Sequence, residues 1–339
     1  RMTNTYIAPG TDSPEQMIAS TERGIFVKAI NAGSVNPATG EFNFNTGETF
    51  LIENGKITTP VRSATLIGTG GDILLRAGPG LLLCSQRRAL YRGGPADSES
   101  HRNDGRRGSG MMTSEKTVLC ELAQRLKQEG FADVRFYIER TEHVGVGVLD
   151  GKRDSATRAK ESAYFVEAGK DGKRCCTFFN TLDGMDDVVE QMQISASASQ
   201  EDYQPLPAFE QEVSYHTDFA PADELEAIKV LAEAESRARE EKRIAAISNC
   251  RYNHSWKEVV LMDENGTCMT DSTQVASVSI GVVSREDSDT EIAHGGRSAA
   301  SLAQIDVNAL AKEVAQMGAQ RLHAKPLESG RYAVILQNS

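Results

Sequence analysis

Six histidines and six cysteines are the residues of this 339-residue chain best suited to metal or nucleophile chemistry, and their spacing tests each use. A metallohydrolase needs two imidazoles one helical turn apart to grip the cation, with a glutamate between them to activate the bound water. None of His101, His143, His216, His254, His294 and His323 is followed by Glu, and no two lie within five residues. Cys250-x3-His254 is the only close Cys/His pair, and a metal there needs two further ligands to which no neighbouring residue points. Cys175 and Cys176 stand beside Phe178 and Phe179 and read as core packing. With Cys84, Cys120, Cys250 and Cys268 they form no CxxC pair and no regular spacing, the pattern of reduced thiols in a cytoplasmic protein.

Gly68-Thr69-Gly70-Gly71-Asp72 suggests a phosphate loop but lacks the following Lys-Ser/Thr and an opening helix, so it reads as a turn. The acidic run Glu286-Asp287-Ser288-Asp289-Thr290-Glu291 lacks the spacing, the central Gly and the terminal Glu of a calcium loop, and reads as a solvated loop. No Ser-His-Asp or Cys-His arrangement follows from spacing. Residue chemistry therefore assigns no catalytic, cofactor-binding or metal-ligating residue, and describes an α+β protein without a visible active site.

The elements that would position such residues are easier to read. Ser13-Pro14-Glu15 is an N-cap, a proline at the first helical position and an acidic first turn, leading into Gln16-Met17-Ile18-Ala19. The period then falls to two: Phe42 and Phe44 alternate with Glu41, Asn43 and Asn45, and Phe50 and Ile52 repeat the pattern. Asn54-Gly55 is a strong hairpin signal, so an antiparallel meander with one polar face is expected. Residues 115–129 form an amphipathic helix with Val118, Leu119, Leu122 and Leu126 on one side, stopped by Gly130. Strands are expected at 134–139, 144–149 and 163–167, then a helix from Gly184 to about Ser195. After a proline-containing link at 201–207, Pro221 and Asp223 open a helix to about Ile247, with Leu225, Ile228, Leu231 and Ile244 inward. A hairpin (256–262 and 275–283, turning at Asn265-Gly266), a helix at 306–323 and a strand at 332–336 follow.

Hydrophobic content of 39% and 25% charge are ordinary for a globular chain, with a mean hydropathy of −0.40. A net charge of −11 argues against general binding to DNA or to an anionic membrane surface, and no run approaches the roughly 18 apolar residues of a membrane span. The sequence opens on Arg1 without a signal peptide, so a cytoplasmic chain that starts inside something longer, or has been trimmed, is expected. One stretch is out of character. Residues 87–112, RRALYRGGPADSESHRNDGRRGSGMM, carry six arginines, no lysine and no periodicity. A flexible linker, a nucleic-acid patch and an out-of-frame translation compete to explain it. The arginines are not interleaved with aromatics apart from Tyr91 and form no helical stripe, which counts against nucleic acid.

RMTNTYIAPGTDSPEQMIASTERGIFV, followed by GSVNPATGEFNFNTGETFLIENGKITTPVRSATLIGTG, resembles the C-terminal domain of the TldD/PmbA family of metallopeptidases over residues 1–74. From Met112 the chain resembles the N-terminal and middle regions of a second member, through ERTEHVGVGVLDGKRDSATRAKESAYFVEA and HGGRSAASLAQIDVNALAKEVAQMGAQRLHAKPLESGRYAVIL. The resemblance implies four parts: a C-terminal-domain-like segment at 1–76, an irregular linker at 77–111, an N-terminal-like domain at 112–200 and a truncated middle-like domain at 208–339. It implies an α+β fold of antiparallel sheets with flanking helices, as separate modules joined by a disordered linker. The two parts are not expected to pack together, each lacking the domain it normally contacts.

In intact zinc-bearing members of the family an HExxxH helix supplies two metal ligands and the base, and a cysteine near the C-terminus is the third ligand. This chain has no HExxxH, so no zinc or other cofactor is expected in it. The family's cysteine segment should follow ATLIGTGGDILLR. A one-base shift over residues 89–108 permits Gly-Gln-Pro and Thr-Val-Gly-Gly readings there, so the basic run is read as frameshift-derived, entering a neighbouring gene at Met111 or Met112; Cys84 is then a coincidence. The expected partners are a peptide or unfolded-protein substrate in the intact family and a second family subunit, as homo- or hetero-oligomer, with no nucleic acid and no membrane.

Overall fold

The computed structural model describes residues 13–62, 64–76, 113–205 and 209–337. The linker expected at 77–111 lies outside the described residues. In chain order the elements are α1 (Pro14–Ala19), β1 (Arg23–Val27), β2 (Ile30–Val35), β3 (Glu41–Thr46), β4 (Thr49–Glu53), β5 (Lys56–Arg62), β6 (Thr65–Thr69), α2 (Gly70–Arg76), α3 (Thr113–Gln128), β7 (Ala132–Leu149), β8 (Lys152–Lys170), β9 (Lys173–Phe179), α4 (Met185–Ala198), β10 (Val213–Tyr215), α5 (Glu224–Ala238), β11 (Ile244–Asp263), β12 (Cys268–Glu286), β13 (Asp289–Ala299), α6 (Val307–Arg321), β14 (Lys325–Pro326) and β15 (Ala333–Leu336). The architecture is α+β, antiparallel sheets with flanking helices, as the sequence implies.

The largest sheet has seven strands in the order β10-β12-β11-β7-β8-β9, with β13 also paired to β12. Its long strands are antiparallel, and their even-numbered residues in β7 and β11 (Phe136, Ile138, Val146, Val148; Tyr252, Val260, Met262) are buried. Because side chains alternate along a strand, these all lie on one face, and every long helix packs there. Helices α3 and α4 cover one end through Leu119, Leu122, Leu126, Val188 and Met192. Helices α5 and α6 cover the other through Ala227, Leu231, Ala234, Leu310 and Val314. Spacings of four, three and four along Ala227, Leu231, Ala234 and Ala238 give α5 one buried stripe, capped at its start by the Asp223 carboxylate accepting from Leu225 N–H.

The helix expected at 223–247 is shorter than its pattern. It stops at Ala238, and Ile244 instead opens β11, where it is buried. Leu225, expected inward, is 77% exposed, because it sits off the alanine-leucine stripe. The strands at 134–139 and 144–149 are one strand of 18 residues, and that at 163–167 is the buried end of a 19-residue strand.

The first part of the chain builds two smaller sheets, β2-β3-β6 and β14-β5-β4-β1-β15. Ser13 caps α1 in a full capping box with Gln16, and Asn54 and Gly55 turn β4 into β5 at φ 51° and 74°. Phe26, Phe50 and Ile52 form the core of the second of these sheets, with Ile18 and Ile335 against them. The two parts of the chain, expected to stay apart, meet here. Strand β15 runs parallel to β1 in register Gly24 to Ala333 through Val27 to Leu336, and β14 lies along β5. Arg62 adds ion pairs to Asp289 and Glu291 of β13. The physical reason is the open edge of β1, whose unpaired backbone groups accept another strand.

Candidate functional site

The Cys250/His254 pair does not converge. Both sit on β11 four residues apart, about 13 Å along a strand, with their side chains in the core. Tyr252 OH accepts from Ala222 N–H and lies 2.8 Å from His254 Nδ1, while His254 Nε2 is 3.0 Å from Gln274 Oε1. Both ring nitrogens are thus engaged, Nδ1 as acceptor and Nε2 as donor, and burial holds the imidazole below its usual pKa. The Cys250 thiol faces the Leu231 carbonyl at 3.6 Å, and burial pushes its pKa up to about 12. These residues do not fit zinc, which needs a thiolate and an imidazole with a free nitrogen at one point.

The remaining candidates disperse. His143 pairs with Ser255 at 3.0 Å, His216 with Asp218 at 3.0 Å and His323 with Glu286 at 3.1 Å, on separate parts of the molecule. Cys175 is buried under α4 as a core residue, and Cys176 donates its backbone N–H to Ser195 Oγ. His101 and Cys84 lie outside the described residues. The glycine-rich stretch is not a turn: its last three residues open α2, seven residues long, because Gly70 and Gly71 give way to the helix-compatible Asp72-Ile73-Leu74-Leu75 run. The acidic run is a hairpin tip, Asp287 at φ 51°, and the carboxylates of Glu286, Asp289 and Glu291 are engaged by Arg62, His323 and the His323 backbone N–H. Among the described residues no group of three or more His, Cys, Asp or Glu is placed to hold a metal ion.

The structure brings together a charge cluster that the spacing of residues did not reveal. Arg140 on β7 donates to Glu115 on α3 at 2.6 Å and, from its other terminal nitrogen, to Glu258 on β11. Tyr164 on β8 donates its hydroxyl to the second oxygen of Glu115 at 2.8 Å. Side-chain exposure is 14% for Arg140, 8% for Glu115 and 2% for Glu258, so the two carboxylates are buried and the guanidinium is mostly shielded from water. His216 Nδ1 stands 4.0 Å from Glu258 Oε1, an oxygen with no hydrogen bond of its own. Burial works against the charge on Arg140, yet Glu115 and then Glu258 keep its pKa above the ordinary value. Burial first, and the neighbouring Glu115 second, push the Tyr164 phenol up to about 12, so it remains a proton donor at neutral pH. The arrangement can tie α3 to three strands through fixed charge. It presents no nucleophile. One signal was readable: Arg140, Glu258 and Tyr164 are in phase with the core residues Ile138, Val260 and Val166, and Glu115 is one turn ahead of Leu119.

Among the described residues no helix is long and apolar enough to cross a membrane. Residues 1–78 match the PmbA/TldA metallopeptidase C-terminal domain, and residues 217–322 the PmbA/TldA metallopeptidase central domain. A metalloprotease TldD homolog of Haemophilus influenzae is 46% identical over 74 residues, 22% of this chain and 15% of that protein. A metalloprotease of Methanocaldococcus jannaschii is 42% identical over 76 residues, 22% of this chain and 17% of its own length. The match therefore spans about a sixth of these relatives. Among solved structures, a proposed modulator of a DNA gyrase from Thermotoga maritima superposes with a TM-score of 0.53 at 15% identity, over 63% of this chain and 50% of that one. A second, from Bacteroides thetaiotaomicron, gives 0.54 at 14% identity over 65% and 53%. At such identities the likeness is one of fold. Two domain matches to a single family, the sequence relatives and the shared fold agree: the chain belongs to the PmbA/TldD family of metallopeptidases.

Proposed function

We propose that this chain is a fragment or fusion of a TldD/PmbA-type zinc metallopeptidase, a cytoplasmic system that matures or degrades peptides, and that it does not itself hydrolyse them. The observation that carries the reading is the order of its parts. A C-terminal-domain match at 1–78 precedes a central-domain match at 217–322, the reverse of the order the domains' names give, and no HExxxH stands anywhere in the sequence. In this reading residues 77–111 derive from a shifted frame and 112–200 correspond to the family's N-terminal domain. With neither the paired imidazoles nor the glutamate base of that motif, the chain lacks the groups with which zinc-bearing members of the family bind the metal and take a proton from a bound water. Metal analysis of the purified chain, with a peptide-hydrolysis assay on the same sample, tests the inactivity: about one zinc per chain together with turnover overturns it. Sequencing the DNA from codon 70 to codon 115 in all frames tests the fusion.

A second reading rests on the continuous sheet and helix layer of residues 113–321, which has its own cores. In this reading residues 112–339 serve as a non-catalytic partner or scaffold for a metal-bearing TldD-like subunit, and co-purification with such a subunit separates it from the first.

A further inference from the structure

Cys120 and Cys268 come from separate elements and meet at one glycine. Gly266 stands in the turn between β11 and β12 at φ 85°, against the first turns of α3. A Cβ there would lie 3.1 Å from the sulfur of Cys120, on α3. The thiol of Cys268, the first residue of β12, donates to the Gly266 carbonyl oxygen at 3.4 Å. Glycine adopts this φ without strain, and it leaves the Cys120 sulfur room that any side chain at 266 would fill.

A cation stands at the same point. Lys116, one helical turn before Cys120, places its Cε 2.9 Å and its Nζ 3.8 Å from that Cβ position, while its ammonium also pairs with Glu212 at 2.9 Å. The reactive form of a cysteine is the thiolate, and a neighbouring ammonium favours it. Burial pushes the Cys268 thiol up, with Lys116 acting against burial. Access separates the two sulfurs. Cys120 lines an open groove of about 470 Å³ with Lys116, Thr117, Glu121 and Gln124, and Cys268 does not line it. The other described cysteines have no such setting: Cys175 and Cys250 are buried in separate cores, and Cys176 lies on the opposite face of β9 from Cys175.

We infer that Cys120 and Cys268 are a thiol modification site, joined reversibly as a disulfide when a peroxide reaches the groove. The Cys120 thiolate attacks hydrogen peroxide: an S–O bond forms, the O–O bond breaks, and the departing hydroxide recovers as water the proton the thiol released. Cys268 then attacks the sulfenic sulfur. The S–S bond forms, the S–O bond breaks, and the second hydroxide takes the Cys268 proton as water. The two thiols give up two electrons in all, and the peroxide gains them. A bridge needs its two Cβ atoms about 3.8 Å apart, so it fixes the first turns of α3 against the turn at Gly266. The inference stands on these thiols and is independent of any peptidase role.

Treatment of the fully reduced full chain with a small excess of hydrogen peroxide, followed by intact-mass measurement and non-reducing peptide mapping, tests it. The chain is expected to lose two hydrogen atoms, with the peptide of Cys120 linked to that of Cys268, and dithiothreitol is expected to restore the mass. This map is made on the unsubstituted chain, so misfolding of a variant cannot imitate it. C268S is expected to stop at a sulfenic acid on Cys120 that dimedone traps. In urea the bridges should scatter among the six cysteines. Native protein whose two thiols stay free after peroxide, a bridge from either sulfur chiefly to another cysteine, or a Cys120–Cys268 bridge no more frequent in the native than in the unfolded chain would each overturn the inference.

Discussion

Replacing Arg140 by Met tests whether the buried charge cluster holds the helix layer to the sheet. Methionine keeps most of the length and apolar stem of arginine and removes only the guanidinium. Glu115 would retain its bond from Tyr164, but Glu258, 2% exposed, would lose its hydrogen-bond donor and keep only His216 at 4.0 Å. Breaking a buried pair while leaving a carboxylate behind costs about 3–5 kcal/mol, against about 1 kcal/mol or less for an exposed bridge. With a total stability of about 5–15 kcal/mol and about 2–4 °C of midpoint per kcal/mol, the melting temperature should fall by roughly 6–20 °C. The reporter is built in: Trp256, the chain's only tryptophan, lies two residues from Glu258 and donates its indole N–H to Thr217 O at 2.6 Å. Urea unfolding followed by its fluorescence gives the free-energy difference directly. Adding E258Q to R140M removes the stranded charge and should recover part of the loss. If R140M costs no more than an exposed bridge, or if E258Q makes it worse, the cluster is not the fixed-charge tie described above.

Two further outcomes are expected. Tyr164 is 6% exposed and its phenol is raised to about 12, above the ordinary value near 10; its contribution is therefore complete below pH 10 and lost as pH rises toward 12, by up to about 3 kcal/mol. Alkaline urea titrations should show this limb in the wild type and a flatter one in Y164F; identical limbs would show that the phenol titrates normally. Gly55 turns at φ 74°, and a Cβ there would meet the Ala19 carbonyl oxygen at 2.6 Å. G55A should destabilise the sheet around Phe50 and Ile52 by at least about 1–2 kcal/mol, read as faster amide exchange in β4 and β5, and unchanged exchange would refute the steric reading.

What was legible in the sequence was whatever buries one face. The period of Leu119, Leu122 and Leu126 marked α3, and the alternation through Phe42 and Phe44 marked β3. The exposed half of β8 was illegible for the converse reason. With one neighbour and residues exposed on both faces, Lys152 to Glu161 has no apolar period and reads as loop. Helix α5 was overextended because the charged stretch 239–243 suits a wet helical face as well as a turn. The charge cluster was hidden because its members come from four elements, and no sequence spacing encodes a meeting across three strands and a helix. Family membership was legible through rare strings such as Asn-Pro-Ala-Thr-Gly rather than through periodicity.

The pairing of β1 with β15 has a cost in time. The two strands are separated by about 300 positions, a long-range contact of the kind that forms last. During vectorial synthesis at about 5–20 residues per second, residues 23–27 leave the ribosome roughly 15–60 s before their partner exists. Through that interval Phe26, Phe50 and Ile52 lack the cover of Ile335, and an unpaired β1 edge is open to any nascent strand nearby. The nascent chain therefore carries this edge uncovered through most of its elongation, and its yield of folded protein is expected to depend on translation speed.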